Sequence, residues 1–279
     1  MGEYRSGSAL RIDDDSVSIQ QLRAGDGPIV LLANGFLSQS VTGWDRWKRP
    51  VTERWPGHPV SRVRWEAQVL ESLKALETFV DTGGDPNKLL AEAKRQILGP
   101  LAALKEGKRP DLPVPAIVLE APAKWNIAKQ RAEQTGRELA EAIKNTPEGT
   151  KFILTGFSLG ARVMATAALT LAEQGITDKL ESVHLIGAAI SRSEKWQPIT
   201  EAVTEGVWNY YSKNDGVLAT LYRVAEAGAT PFGLAGMHLA GPKAHDVDVS
   251  GEVFNHRGYL GAITLEQPVV PKTVEAVES

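Results

Sequence analysis

The feature that most constrains this chain is the run Gly156-Phe157-Ser158-Leu159-Gly160, which follows the apolar stretch 151–155 and opens the Ala- and Leu-rich segment 161–174. The first stretch reads as a buried strand and the last as a helix. A serine set between two such elements sits on a sharp turn that lifts its hydroxyl off the sheet edge, and the flanking glycines let the backbones pass closely. Ser158 is therefore the candidate nucleophile. In a chain with 26 glycines the five-residue pattern is weak alone, so the reading depends on partners elsewhere in the sequence.

The rest of the chain suits such a site. Ahead of the turn, residues 16–22 alternate in polarity, 28–33 form a continuous apolar run, and 59–65 are rich in β-branched and aromatic residues; beyond it, 182–188, 207–211 and 246–250 carry strand signals. The segments between are long enough for helical crossovers, which implies a mostly parallel sheet flanked by helices. The arrangement resembles an α/β-hydrolase fold, read as one domain over residues 1–279. Residues 67–124 are more than one crossover needs and read as a helical insertion before the nucleophile strand, a candidate lid. Within it Val69, Leu70, Leu73, Leu76 and Val80 follow helical spacing, and Asp85-Pro86 starts a second helix through Leu98. Residues 108–122 hold four prolines and read as an irregular connection; Ala128, Ala132, Leu139 and Ile143 then mark an amphipathic helix. Residues 265–279 read as a polar tail.

Composition narrows the function. A net charge of −3 with interspersed signs offers no basic stripe for nucleic acid. Without cysteine, thiolate nucleophiles and thiolate metal sites are excluded. No run approaches the ~20 apolar residues of a membrane span, so the expectation is a cytoplasmic protein, with peripheral membrane contact left open.

A serine hydroxyl needs a base within hydrogen-bond reach and an acid to orient that base. In a fold of this kind the chain order is serine, acid, histidine, which removes His58 from the five histidines. His184 lies inside an apolar run and reads as a core residue. His245 precedes the last strand and His256 follows it. Ligands gather outside the carboxyl ends of parallel strands, so His256 is the candidate base. The same argument selects Asp215, just past the strand at 207–211, over Asp246 and Asp248 within the last strand region and Asp178 on the opposite edge. A developing oxyanion calls for two backbone N–H donors, assigned to Leu159 and to Phe36, with Leu37 the alternative, in the loop Asn34-Gly35-Phe36-Leu37. Trp44, Trp47 and Trp65, with Phe36, Leu37 and Phe157, are candidates to line an apolar acyl pocket.

Asn34-Gly35-Phe36, Val63-Arg64-Trp65-Glu66, Gly156-Phe157-Ser158-Leu159-Gly160-Ala161-Arg162-Val163, Tyr211-Ser212-Lys213-Asn214-Asp215-Gly216-Val217-Leu218, and Val247-Asp248-Val249 followed by His256 resemble the transmembrane and coiled-coil domain protein family of predicted α/β-hydrolases. The likeness spans most of positions 28–260. It implies a serine-hydrolase fold with Ser158, Asp215 and His256 as its triad. Family members often carry a strongly apolar segment before the serine turn, whereas residues 96–119 here are interrupted by Lys105, Glu106, Lys108, Arg109 and several prolines.

The leading expectation is a serine hydrolase that cleaves carboxylic esters, lipid-like ones included, with no cofactor or metal. Two alternatives stand beside it: a non-catalytic interaction module on a hydrolase fold, and an acyltransferase or thioesterase using the same three side chains.

Overall fold

The computed structural model describes residues 17–35, 44–65, 116–192, 194–226 and 228–266. Seven strands form one sheet: β1 (Val17–Arg23), β2 (Ile29–Ala33), β3 (Val60–Trp65), β4 (Phe152–Phe157), β5 (Leu180–Ile186), β6 (Val203–Tyr211) and β7 (Ala244–Asp248). Their spatial order is β1-β3-β2-β4-β5-β6-β7. β1 runs antiparallel to β3, and every other neighbouring pair is parallel. A parallel sheet must bury both faces, and the period of two sorts the side chains accordingly. Leu31, Ala33, Phe152 and Leu154 join one core. Val30, Leu32, Ile153 and Phe157 join the other.

The helices cover those faces. α1 (Trp44–Arg54) and α6 (Tyr259–Ala262) lie on the side of Phe157; α2 (Ala116–Lys144) and α3 (Leu159–Glu173) lie on the other. Between β6 and β7 a π-helical turn (Leu218–Tyr222) runs into α4 (Arg223–Ala225), followed by α5 (Phe232–Ala235). This is an α/β-hydrolase fold: the serine turn joins β4 to α3, and the sheet's carboxyl edge gathers the loops after β2, β4, β6 and β7. No helix among the described residues is long and apolar enough to cross a membrane.

All seven strand readings find a strand, and three details of the surrounding chain differ. α2 starts at Ala116, inside the stretch read as irregular, and carries Pro122; the long run of good helix formers beyond it sustains the helix despite the lost N–H. α1 has no counterpart among the sequence expectations because Pro50 breaks its helical pattern in the sequence; Trp47 and Val51, with Trp55 just past its end, supply its buried stripe at a spacing of four. The packed chain also runs further than the tail reading allows: Leu265 is buried, and the Glu266 N–H donates to the Tyr210 hydroxyl at 2.8 Å. The helices read at 69–80 and 85–98, residues 67–115 of the candidate lid, and the tail from 267 onward lie outside the described residues.

His184 is a core residue, as its apolar setting predicts. His245, the second residue of β7, stacks on Trp208 at 4.8 Å, and Trp208 stacks on His184 at 5.0 Å, so paired positions of three strands form one ring ladder. The His184 ring nitrogens pair with the Tyr210 hydroxyl at 3.0 Å and Ser182 Oγ at 3.3 Å. Burial pushes the imidazole down to about 3.

A pH dependence follows. The fold holds a neutral imidazole, while the unfolded chain takes up a proton near pH 6.5. His184 thus contributes its full share above pH 6.5 and loses it as pH falls toward 3. In urea titrations between pH 7 and 4, the stability advantage of wild type over His184→Gln should shrink by up to about 1.4 kcal/mol per pH unit below 6.5. A constant difference would contradict this account.

Candidate active site

Ser158 sits at φ 57° and ψ −121°, a left-handed conformation in which few non-glycine residues are found. The turn is held on both sides. Its N–H donates to Ile186 O at 2.9 Å, and its carbonyl accepts from Ala161 N at 3.1 Å and Ala189 N at 3.3 Å. Close approach of backbones explains the glycines: a Cβ on Gly160 would lie 2.2 Å from Ala33 O, and one on Gly156 would lie 2.4 Å from Gly160 O. Arg162, buried on the first turns of α3, steadies the neighbouring loop by donating Nε to Ala189 O at 3.0 Å while pairing with Glu133 at 2.9 Å.

Three of the side chains singled out from sequence meet here. Ser158 Oγ lies 2.9 Å from His256 Nε2, and His256 Nδ1 lies 2.7 Å from Asp215 Oδ2. Residues 98 and 41 positions apart are joined because β4, β6 and β7 end on the same edge of the sheet. Asp215 is fully buried, and its Oδ1 accepts from Leu218 N at 2.9 Å. The His256 ring rests against Phe157, centroids 4.9 Å apart. Such a chain can pass the serine proton to the imidazole while the carboxylate fixes the tautomer and stabilises the imidazolium.

The rival acids serve other ends. Asp246 accepts from Asn209 Nδ2, Met237 N and His238 N, which fastens the loop before β7. Asp248 pairs with Lys213 at 2.7 Å, and that bond holds its carboxyl well below the usual range. Asp178 is represented by its carbonyl, which accepts from Lys151 Nζ.

Leu159 opens α3, where the first N–H groups have no partner within the helix and the dipole favours negative charge. Phe36 and Leu37 lie outside the described residues, as does the Trp44 side chain. Gly35, just ahead of them, packs on the serine: a Cβ there would stand 2.9 Å from Ser158 Cβ.

Of the tryptophans read as candidate pocket lining, Trp47 and Trp65 are described, and both pack inward. Trp47 and Trp65 are buried, and both indole N–H groups bond to Asn34: Trp47 to Oδ1 at 2.5 Å and Trp65 to the backbone carbonyl at 3.0 Å. A buried indole N–H needs an acceptor, and Asn34 provides two. Phe157 is likewise buried against His256 and Tyr259. Asn34, Ser212, Tyr259 and Arg162 support the site without having been singled out for that role; Asn34-Gly35 beside two tryptophan-bearing segments was the available signal. Among the described residues no group of three or more His, Asp or Glu side chains is arranged to hold a metal ion.

A family model described as "Protein of unknown function (DUF726)" matches residues 40–265. The chain is similar to the transmembrane and coiled-coil domain-containing protein STS1 of Oryza sativa subsp. japonica, 35% identical over 144 residues covering 50% of this chain and 21% of that protein. An uncharacterized membrane protein of Schizosaccharomyces pombe is 30% identical over 239 residues, covering 78% of this chain and 39% of that protein. The "Probable lipase MIL1" of Saccharomyces cerevisiae is 29% identical over 170 residues, 59% of this chain and 15% of that protein. The chain thus spans well under half the length of these relatives. Among solved structures, the mouse α/β hydrolase domain-containing protein 10 matches with a TM-score of 0.40 and 13% identity over 86% of each chain.

The glycine contacts give a direct test of the turn. Gly160→Ala should cost about 1–3 kcal/mol in urea unfolding, because Ala33 O is backbone and cannot swing aside. Gly261→Ala, in α6 with open space around it, should change stability by less than about 1 kcal/mol. Equal stability of the two variants would contradict the packing described.

Proposed function

The chain belongs to the family described as "Protein of unknown function (DUF726)", a description that assigns no chemistry, and from its own site we propose a serine hydrolase that cleaves carboxylic esters through an acyl-enzyme on Ser158. The observation that carries this reading is the hydrogen-bonded series from Ser158 Oγ through His256 to Asp215, at 2.9 and 2.7 Å. In the proposed reaction His256 Nε2 takes the serine proton as Oγ attacks the ester carbonyl carbon. Asp215 holds the Nδ1 proton, and the carbonyl electron pair moves onto oxygen. That oxyanion is received by the Leu159 N–H at the start of α3, with Phe36 N–H the proposed second donor on sequence position and Leu37 the alternative. The imidazolium returns its proton to the departing alkoxide. Water, deprotonated by His256, then attacks the acyl-enzyme and frees the acid and Ser158.

The substrate class we propose is an ester with an apolar, lipid-like acyl group. Phe254, 70% exposed and two residues from His256, offers apolar surface on the loop that carries the base. The budding-yeast relative, named a probable lipase, agrees with that class.

A fluorophosphonate probe tests the reading by intact mass. Wild type should gain one probe mass, Ser158→Ala none, and His256→Ala should label about 10²–10⁴-fold more slowly. An unlabelled, folded wild type, or equal labelling of Ser158→Ala, would refute it.

A further inference from the structure

We propose that Ser212 and Tyr259 act as a positioning pair that holds Asp215 against His256, an inference that rests on the serine-hydrolase reading. Asp215 belongs to a turn after β6, and His256 belongs to a separate loop after β7. A short bond between two loops survives thermal motion only if their backbones are tied together independently. Ser212 supplies that tie. Its Oγ donates to Val253 O at 2.6 Å, and its N–H reaches both the Tyr259 hydroxyl and Gly233 O at 3.0 Å. Val253 and Tyr259 stand three residues before and three residues after His256. One serine therefore grips both ends of the segment carrying the base.

The same serine anchors the acid. Its carbonyl accepts from Asp215 N at 3.2 Å, and its Oγ accepts from Asn214 N at 3.1 Å. Tyr259 completes the link by donating its hydroxyl to Gly233 O at 3.0 Å, while its ring lies 6.1 Å from Phe157 and 6.3 Å from His256. Ser212, Asp215 and Tyr259 are all fully buried, so water does not compete for these bonds. Burial, reinforced by the nearby Asp215 carboxylate, raises the Tyr259 phenol well above its ordinary range and keeps it a donor at any working pH. Neither side chain bonds to Ser158 Oγ, so their effect is exerted through the acid and the base.

The test is the fluorophosphonate labelling rate against pH for wild type, Tyr259→Phe and Ser212→Ala, with thermal melts to confirm folding. A loosened carboxylate stabilises the imidazolium less, which lowers the His256 pKa. The expected result is an approximately tenfold slower plateau rate and an acid-limb midpoint displaced to lower pH, with the probe concentration for half-saturation unchanged. Folded variants that label at the wild-type rate with the wild-type midpoint would overturn the inference. Where Tyr259→Phe fails to fold, Ser212→Ala decides, since it removes the bond to Val253 and leaves its own backbone N–H in place. A wild type that does not label refutes the serine-hydrolase reading and the inference with it, whereas a labelled wild type beside unaffected variants refutes the inference alone.

Discussion

A serine backbone at φ 57° is the constraint from which the rest of the site follows. That conformation costs about 1–3 kcal/mol, and it persists only where the surroundings over-determine it. Here they do so through three backbone bonds at Ser158 and through the approach of α3 to β2 and β4, which the glycines at 156 and 160 make sterically feasible. Sheet, helix and turn are thus one mechanical unit. The strain raises the Ser158 hydroxyl above the sheet edge, and loops from β6 and β7 arrive at the same edge because parallel strands all end there.

A second layer of bonds fixes those loops to one another and to the covering helices. Arginines of α1 grip the chain after His256: Arg46 donates to Arg257 O, Arg49 to Gly261 O and Ile263 O, and Arg54 to Glu266 O. On the Ser158 side, Arg162 holds Ala189, whose N–H holds the Ser158 carbonyl. Buried polar side chains such as Arg162 and Ser212 cost stability unless their partners are met. In this fold the cost is spread across groups that also set the geometry of Ser158, His256 and Asp215.

The parts legible in the sequence share one physical property: they are local. Strand runs announce themselves through apolar stretches and alternation, and the serine turn through five consecutive residues. Asp215 and His256 could be found because parallel strands share a polarity and the ends of the last two long strands were readable. The likeness to the transmembrane and coiled-coil domain family was also readable, from ordered short motifs, and the rice relative bears that name. What escaped was long-range. Pro50 concealed α1, whose anchoring bonds to residues 257–266 span more than 200 positions. Nothing local in the sequence shows that Asn34 takes the indole N–H groups of both Trp47 and Trp65. No pattern in the chain links Ser212 to Tyr259, 47 residues away.

The central claim is that Ser158, His256 and Asp215 operate as one nucleophilic device that passes through a covalent acyl-enzyme. Rapid mixing with a p-nitrophenyl ester, followed by acid quench and peptide mass analysis, tests it most directly. The account predicts a p-nitrophenol burst near one equivalent per protein and an acyl group on the peptide containing Ser158. Hydrolysis with no burst and no acylated peptide, or an acyl group on a different residue, would contradict it.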